Sequence, residues 1–335
     1  MGCSLCSRYF LYSRTYLGDW FFRRDLQKAK VAFEDGAHSS VTETSLGEVK
    51  ILPIPYSMDN YAYLVMHGGN KDVTIVDVGD AEAVMRVLKQ RQLTPTAILT
   101  THKHWDHCSG NAAMLEAFPE MEIYGSELDA TYCQTKCVHD DDIVQVGALN
   151  YRVLHTPGHT VGHVVYVLEK EGARVPVHCL FTGDLMFYGG AGKCFEGTAS
   201  QMVRSLERVC KYPDESLVWP GHEYAKSNLV FAVTIQPDLQ DQLNKVLEAR
   251  SDHKAMVPST LSAEKRHNLF LRTDSEKLRL ALGMLLEHGN EGSSEEQEEA
   301  AEAKEAEETT ADDITIIDQA RIATFQKLRF LKDNQ

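Results

Sequence analysis

The chain has 335 residues, of which 43% are hydrophobic, and a formal net charge of −15. This length allows one large domain or a domain with a smaller companion. No run approaches the ~20 uninterrupted apolar residues of a membrane-spanning helix. No basic stripe crosses the body, so a nucleic-acid-binding protein is excluded. The N-terminus has no signal-peptide pattern, and the eight cysteines are expected to be reduced thiols in the cytoplasm.

The first segment, residues 1–34, is basic and aromatic. Residues 1–30 contain six Arg or Lys and two Asp, and we expect most of them to be helical. Gly2 is placed for myristoylation, although Cys6 stands where the motif has Ser or Thr, and Cys3 and Cys6 are candidates for palmitoylation. Acyl chains beside a basic patch attach a protein stably to membranes. We therefore interpret the segment as a membrane anchor, with a helix that packs on the body as the alternative.

Residues 35–47 are rich in small and polar side chains and predict a linker. Strand-like and helical runs then alternate. Strands are predicted at 49–55, 61–66, 73–78, 96–101, 122–125, 151–156, 163–168 and 178–184. Helical patterns occur near 81–92, 111–118, 199–210 and 237–250. Many hairpin-like strands with interspersed helices favour a layered α/β sandwich over a doubly wound sheet.

The C-terminal part of the chain changes composition. Residues 223–286 predict a helical region. Residues 291–313 contain nine Glu, two Asp and one Lys, so we expect 287–313 to form a disordered acidic tail. Ile314, Ile317, Phe325 and Leu328 recur at helical spacing, which predicts a terminal helix over 314–335.

A dense group of ionisable side chains follows the predicted strand 96–101, in the stretch THKHWDH: His102, His104, Asp106 and His107. Alternate residues of an extended chain face the same side, so His102 and His104 point together. Two imidazoles with an Asp–His pair beyond them suit two metal ions held close together. Two ions need more ligands than these four.

Three more candidate ligands follow apolar runs in the same way. His159 lies in HTPGHT, Asp184 in LFTGD and His222 in WPGHEY. Loops that follow strand ends can bring such side chains to one edge of the sheets. A carboxylate between two ions can bridge them, since it has two oxygens. His163, four residues after His159, offers an alternative to it.

The motifs THKHWDH, TPGHT, FTGD and PGHEY, in this order and spacing, resemble those of the metallo-β-lactamase superfamily. Within it they are most similar to the glyoxalase II group of thioester hydrolases. The resemblance implies a four-layered αββα sandwich, with the catalytic domain at 48–222 and a helical substrate-binding region at 223–286. It also implies two divalent metal ions, zinc first, with iron or manganese as alternatives. Such ions lower the pKa of a water that attacks a thioester carbonyl.

The resemblance also divides the seven candidate ligands. The first ion takes His102, His104 and His159, the second takes Asp106, His107 and His222, and Asp184 bridges them. Asp106 and Asp184 are then the catalytic carboxylates. His163 is expected to support a ligand rather than bind metal, and so is Asp77, which ends the strand 73–78.

The segment after the bridging Asp binds glutathione in glyoxalase II and here reads GAGKCFEGT. Lys193 and Tyr224 match substrate contacts of that group, and Arg272 in NLFLRT matches a cationic contact. Phe195 stands where the group has Tyr, so one hydroxyl is missing. Glutathione thioesters are therefore expected to bind less well than in the group.

The sequence thus predicts a binuclear metal-dependent hydrolase of thioesters, with glutathione conjugates as the substrate class. It is expected to be cytoplasmic and attached to a membrane surface through an acylated N-terminus. Two alternatives remain. One is a mononuclear iron persulfide dioxygenase, which shares the motifs but is typically shorter after residue 223. The other is a membrane-associated scaffold with a weakly active hydrolase domain.

Overall fold

The structure is a computed structural model that describes residue 13 and residues 15–33, 36–68, 72–169, 177–284 and 311–335. Its centre is a pair of β-sheets that lie face to face. The first sheet has seven strands in chain order: β1 (Thr44–Leu46), β2 (Val49–Tyr56), β3 (Asn60–His67), β4 (Asp72–Val76), β5 (Ala97–Leu99), β6 (Glu122–Ser126) and β7 (Lys136–Val138). Its first four strands pair antiparallel, and β4 to β7 pair parallel.

The second sheet has six strands. They are β8 (Ile143–Val146), β9 (Leu149–His155), β10 (Val164–Glu169), β11 (Cys179–Gly183), β14 (Leu217–Pro220) and β15 (Ser259–Thr260). Their order in the sheet is β15-β14-β11-β10-β9-β8. A small hairpin, β12 (Met186–Phe187) with β13 (Gly190–Ala191), follows β11.

Helices cover the outer faces of both sheets. The first sheet carries α1 (Tyr16–Ala32), α2 (Ala81–Arg91), α3 (Trp105–Cys108) and α4 (Asn111–Ala117). The later helices are α5 (Ala199–Cys210), α6 (Ala225–Ile235), α7 (Gln240–Ser251), α8 (Leu261–His267), α9 (Glu276–Ala281) and α10 (Ala311–Asp333). They pack with the second sheet in one apolar cluster. The four-layered αββα sandwich with a C-terminal helical region is thereby confirmed.

The space between the sheets is filled mainly by aromatic and β-branched side chains. Tyr63 and Trp219 come from opposite sheets, and their ring centroids lie 5.4 Å apart at an interplanar angle of 71°. Phe181 lies beside both rings. All three side chains are buried. Large aromatic rings in this layer bury much apolar surface and fix the two sheets relative to each other.

The eight strands predicted from the sequence are all present. Strand β1 falls within residues 35–47, where we expected a linker. The strands β7 and β8 were not predicted because each is short and has few buried positions. A short, half-exposed strand gives little hydrophobic signal.

Helix α1 packs on the body through one face. Phe22 is buried, the Tyr16 ring stacks on Trp105 with centroids 6.0 Å apart, and Lys30 Nζ lies 2.6 Å from Glu82 Oε2. The acylation predictions fall on Gly2, Cys3 and Cys6, which lie outside the described residues. No helix in the described part of the chain is both long enough and apolar enough to cross a membrane.

Helix α10, which overlaps the predicted terminal helix 314–335, docks against α5 and the segment Leu269–Leu271. Phe325 and Leu328 are fully buried, and Arg321 Nη2 lies 2.7 Å from Glu207 Oε1. The side chains of Ile314 and Ile317 lie outside the described residues. The helix therefore belongs to the folded body despite the acidic segment that precedes it in the sequence.

Candidate active site

The candidate site lies at one edge of the sandwich, where strands of both sheets end. Strands β4 and β5 run parallel, as do β11 and β14, so the loops that follow them lie side by side. Two backbone hydrogen bonds tie a loop of one sheet to a strand of the other: Tyr61 N of β3 donates to Gly221 O, and Val164 N of β10 donates to Thr101 O, each at 2.9 Å. His102 and His104 follow β5, Asp106 and His107 lie in α3 just beyond them, Asp184 follows β11, His222 follows β14, and His159 lies between β9 and β10.

Three histidines form a first cluster. His104 Nδ1 lies 3.0 Å from His102 Nε2 and 3.0 Å from His159 Nε2. All three side chains are buried. Three ring nitrogens that converge this closely offer the nitrogen ligands that zinc and similar ions prefer.

A second cluster lies beside the first. His107 Nε2 lies 3.3 Å from His222 Nε2. Asp106 Oδ2 lies 3.6 Å from His107 Nε2 and 3.4 Å from His222 Nε2. This cluster pairs two imidazoles with one carboxylate, which again suits a divalent cation.

Asp184 lies between the two clusters. Its Oδ1 is 3.4 Å from both His107 Nε2 and His222 Nε2, and its Oδ2 is 3.3 Å from His159 Nε2. Oδ1 is buried and makes no hydrogen bond with any residue that the structure describes. A buried carboxylate oxygen without a donor is costly unless a cation satisfies it. The donor set therefore fits a pair of cations with Asp184 as the bridge.

Four of the five imidazoles are held through the ring nitrogen that faces away from the clusters. The contacts are His102 Nδ1 with Thr101 Oγ1 at 3.0 Å, His107 Nδ1 with Asp77 Oδ2 at 2.9 Å, His159 Nδ1 with Lys193 O at 2.9 Å and His222 Nδ1 with Asp59 Oδ1 at 2.8 Å. Such contacts fix the tautomer and the ring orientation of metal-binding histidines.

Asp77, which the sequence predicted to support a ligand, is one of these partners and contacts His107. His163, for which the same role was predicted, accepts a hydrogen bond from the backbone N of Asp184 at 3.1 Å. Asp59 was missed, because a single Asp in a short turn between two strands gives no motif.

The pKa values of these side chains show how charge is distributed. Burial, together with neighbouring imidazoles, keeps the pKa of His102 and His104 well below the usual value. Burial also opposes protonation of His107, but the carboxylates of Asp106 and Asp184 outweigh it and raise its pKa to about 9. The imidazoles of the first cluster are thus held neutral, whereas the carboxylates beside the second cluster favour the protonated form of His107.

Gly221 in the PGHEY motif is required by close packing. A Cβ at this position would lie 2.6 Å from Asp184 Oδ1 and 2.7 Å from His107 Cε1. Both contacts are too short for any side chain to be accommodated without moving a ligand. The glycine therefore lets the β14 loop bring His222 against the other donors.

A pocket of about 460 Å³ opens onto Asp184 and His159, a size typical of small-molecule sites. Its walls carry three of the residues predicted to bind substrate: Lys193, Phe195 and Tyr224. The Phe195 side chain is 46% exposed, and its ring meets the His104 and His159 rings edge-on at 5.7 and 5.3 Å. The Tyr224 ring stacks on His222 with centroids 4.7 Å apart.

The fourth predicted substrate residue, Arg272, is not brought to this pocket. Its Nη1 donates to the carbonyl oxygen of Arg266 at 3.0 Å. The last turns of α10 supply the cations instead, as Arg329 and Lys332 both line the pocket. Residues three apart share one face of a helix. The spacing of Arg329 and Lys332 is therefore the sequence signal from which this pair could have been predicted.

Comparison with known proteins agrees with this geometry. Residues 58–222 match the profile of the metallo-β-lactamase superfamily, and residues 223–335 match the hydroxyacylglutathione hydrolase C-terminus. A crystal structure of a metallo-β-lactamase from Staphylococcus aureus is similar, with a TM-score of 0.50 and 26% identity. The alignment covers 73% of this chain and 67% of the other. Fold and site together define a member of the metallo-β-lactamase superfamily.

Two curated relatives narrow the assignment. A hydroxyacylglutathione hydrolase from Synechococcus is 38% identical over 234 residues, which span 68% of this chain and 91% of the relative. A cytoplasmic hydroxyacylglutathione hydrolase from Arabidopsis thaliana is 38% identical over 241 residues, or 70% and 92% of the two chains. The chain belongs to the hydroxyacylglutathione hydrolase family.

Proposed function

We propose that this chain hydrolyses thioesters with a pair of divalent metal ions, and that acyl thioesters of glutathione are its substrate class. The observation that carries the proposal is Asp184, which faces two separate donor clusters and also the floor of the pocket. A metal pair, when bound, supplies Lewis-acid polarisation and an activated water. We propose zinc, because imidazole nitrogens are five of the seven donors.

The residues have distinct roles in this proposal. His102, His104 and His159 hold one ion, Asp106, His107 and His222 hold the other, and Asp184 fixes the two sets relative to each other. In the reaction, the oxygen of water bonds to the carbonyl carbon and the C–S bond breaks. The products are a carboxylic acid and a thiol. Lys193, Tyr224 and the Phe195 ring position the thiol portion beside the clusters.

Glutathione suits the charge of the pocket. It carries two carboxylates, and the pocket wall presents the cationic side chains of Lys193, Arg329 and Lys332. Arg329 Nη1 donates to Ala191 O at 2.9 Å, and Lys332 Nζ lies 3.4 Å from Ser227 O. Both cations are therefore held in the wall before any ligand binds, which reduces the ordering cost of binding.

The test uses the full-length protein with measured metal content. We expect close to two metal ions per chain and hydrolysis of an S-hydroxyacylglutathione. A persulfide assay for oxygen consumption tests the dioxygenase alternative, and His222→Ala serves as the inactive control. One iron per chain with persulfide-dependent oxygen uptake would overturn the proposal. The C-terminal match over 223–335 and the complete second cluster argue against that alternative.

We further propose that the protein is cytoplasmic and attaches to membrane surfaces through its acylated N-terminal segment. The outward face of α1 supports this attachment. Trp20 and Phe21 are 50% and 45% exposed, and the Arg24 guanidinium lies 5.0 Å from the Trp20 ring centre. Exposed aromatic and basic side chains together suit the interface of an anionic bilayer.

Cell fractionation tests the attachment. The variant with Gly2→Ala, Cys3→Ser and Cys6→Ser should move to the soluble fraction. A matched variant with Cys133→Ser and Cys137→Ser should stay where the wild type is. Unchanged membrane recovery of the first variant would show that acylation is not the anchor. The hydrolase proposal does not depend on this result.

The chain is further proposed to divide into an N-terminal segment at 1–34, a linker at 35–47, a catalytic domain at 48–222 and a substrate-binding region at 223–286. An acidic tail at 287–313 and a terminal helix at 314–335 complete the division. Limited proteolysis with mass spectrometry tests it. The first cuts should fall in 287–313, whereas 35–47 should resist because it contains β1 and the buried His38 and Ser39.

A further inference from the structure

A carboxylate of the chain itself lies among the cations of the pocket. Asp333 Oδ1 is 2.8 Å from Arg329 Nη2 and 3.4 Å from Lys193 Nζ. Arg329 Nε also donates to this oxygen, at 3.1 Å. All three residues line the pocket. Asp333 therefore makes the ion pairs that a carboxylate of a bound ligand would make with the same two cations.

Arg329 has other partners that hold its side chain. Its Nη1 donates to Ala191 O at 2.9 Å, and its guanidinium lies 5.3 Å from the centre of the Phe270 ring. The Arg329 side chain is 11% exposed, whereas that of Asp333 is 32% exposed. Other parts of the protein thus fix the Arg329 side chain without help from Asp333. The main contribution of Asp333 is its negative charge at the mouth of the pocket.

We propose that Asp333 is a specificity-determining residue: it occupies the carboxylate position beside Lys193 and Arg329 and weakens the binding of thiols that end in a carboxylate. The inference rests on the proposed function, since it concerns the thiol portion of the substrate. It sets how strongly the pocket distinguishes glutathione from a neutral thiol of similar size.

Like charges at contact distance repel, and near a protein surface the repulsion is worth the equivalent of a several-fold change in affinity. Replacing Asp333 by Asn keeps the shape and removes the charge. We expect the dissociation constant of a carboxylate-ended ligand to fall by roughly threefold to tenfold. A ligand without that carboxylate should bind as before.

The experiment measures binding rather than turnover. The metal-loaded, full-length protein is titrated by calorimetry with S-methylglutathione, and with the same thioether whose glycine carboxylate is an amide. Asp333→Asn is compared with wild type and with Asp318→Asn. The control removes the same charge from the same helix, roughly 22 Å along its axis. Turnover of a glutathione thioester is measured separately.

The inference predicts tighter binding of the acid only, and in Asp333→Asn only. Unchanged or weaker binding of the acid would overturn it, because Asp333 would then serve to orient the cations. Equal gains for acid and amide, or equal gains in both variants, would overturn it as well, and so would the absence of measurable binding to every protein. A correct binding pattern without thioester turnover would instead overturn the proposed function and leave the inference standing.

Discussion

Asp59 Oδ1 lies 2.8 Å from His222 Nδ1, on the side of the imidazole that faces away from Asp106 and Asp184. A carboxylate in this place fixes the ring and makes its other nitrogen a better ligand. Loss of such a partner typically costs 10- to 100-fold in metal affinity.

We therefore expect Asp59→Asn to lower the affinity for one of two bound ions by about 10- to 100-fold and to leave the affinity for the other unchanged. Competition with a chelator of known affinity measures both constants. Asp214→Asn, which changes an exposed Asp paired with Lys265, is the matched control. Equal affinities in all three proteins would show that Asp59 does not support a ligand.

Removal of the proposed bridge should affect both ions. Asp184→Asn keeps the size of the side chain but removes the charge that faces His107, His222 and His159. We expect the metal content measured by elemental analysis after dialysis to fall from near two ions per chain in the wild type to below one in Asp184→Asn. Asp140→Asn, on the surface, should retain the wild-type content. Full metal content in Asp184→Asn would exclude a bridging role.

The missing hydroxyl at position 195 gives a gain-of-function test. Phe195→Tyr adds one hydrogen-bonding group to a ring that already lies in the pocket. One neutral hydrogen bond is worth ~0.5–1.5 kcal/mol, so kcat/KM for a glutathione thioester should rise by roughly 2- to 10-fold. A thioester without glutathione should show no gain. Equal effects on both substrates would mean that residue 195 does not contact glutathione.

The two arginines of the C-terminal region make a matched pair. Arg329 lines the pocket, whereas Arg272 does not. A charged hydrogen bond is worth ~1.5–3 kcal/mol, so Arg329→Met should raise KM for a glutathione thioester by roughly 10- to 100-fold, with little change in kcat. Arg272→Met should behave as wild type. If Arg272→Met raised KM and Arg329→Met did not, the glutathione contact would lie on Arg272, as the sequence first suggested.

Lys332 makes binding depend on pH. Burial, helped by the charge of Arg329, lowers its pKa to about 8, and Asp333 acts in the opposite direction. Lys332 is charged below this pH and neutral above it, so attraction for an anionic thiol is present at low pH and lost as pH rises through 8. KM for a glutathione thioester should rise between about pH 7 and 9.

Three controls bear on that pH dependence. The KM of a neutral thioester should not change, and Lys332→Met should flatten the profile for the glutathione thioester. Asp333→Asn should move the midpoint to lower pH, because it removes the charge that favours protonated Lys332. A flat wild-type profile would contradict the assignment.

The residues of the two donor clusters could be found from the sequence because each belongs to a short motif that follows a strong strand pattern. The same holds for Asp77, which ends a buried strand. The cations of α10 could not be found in this way. A long acidic segment separates them from every motif, and only tertiary packing through Phe325 and Leu328 brings them to the pocket. Arg272 was predicted from the resemblance of NLFLRT to the glyoxalase II motif, but its side chain turns toward the carbonyl oxygen of Arg266.

The charged wall of the pocket depends on the covalent link between α10 and the rest of the protein. The helix is joined to the body through residues 285–310, so it meets its binding face at the effective concentration of a tethered segment, on the order of millimolar. A single cut in that segment would turn the docking into an ordinary bimolecular association. The helix would then be held only by its own contacts with the body, and its dissociation would take Arg329, Lys332 and Asp333 with it. Proteolysis there would remove the charge selectivity of the pocket in one step while the two donor clusters stayed intact.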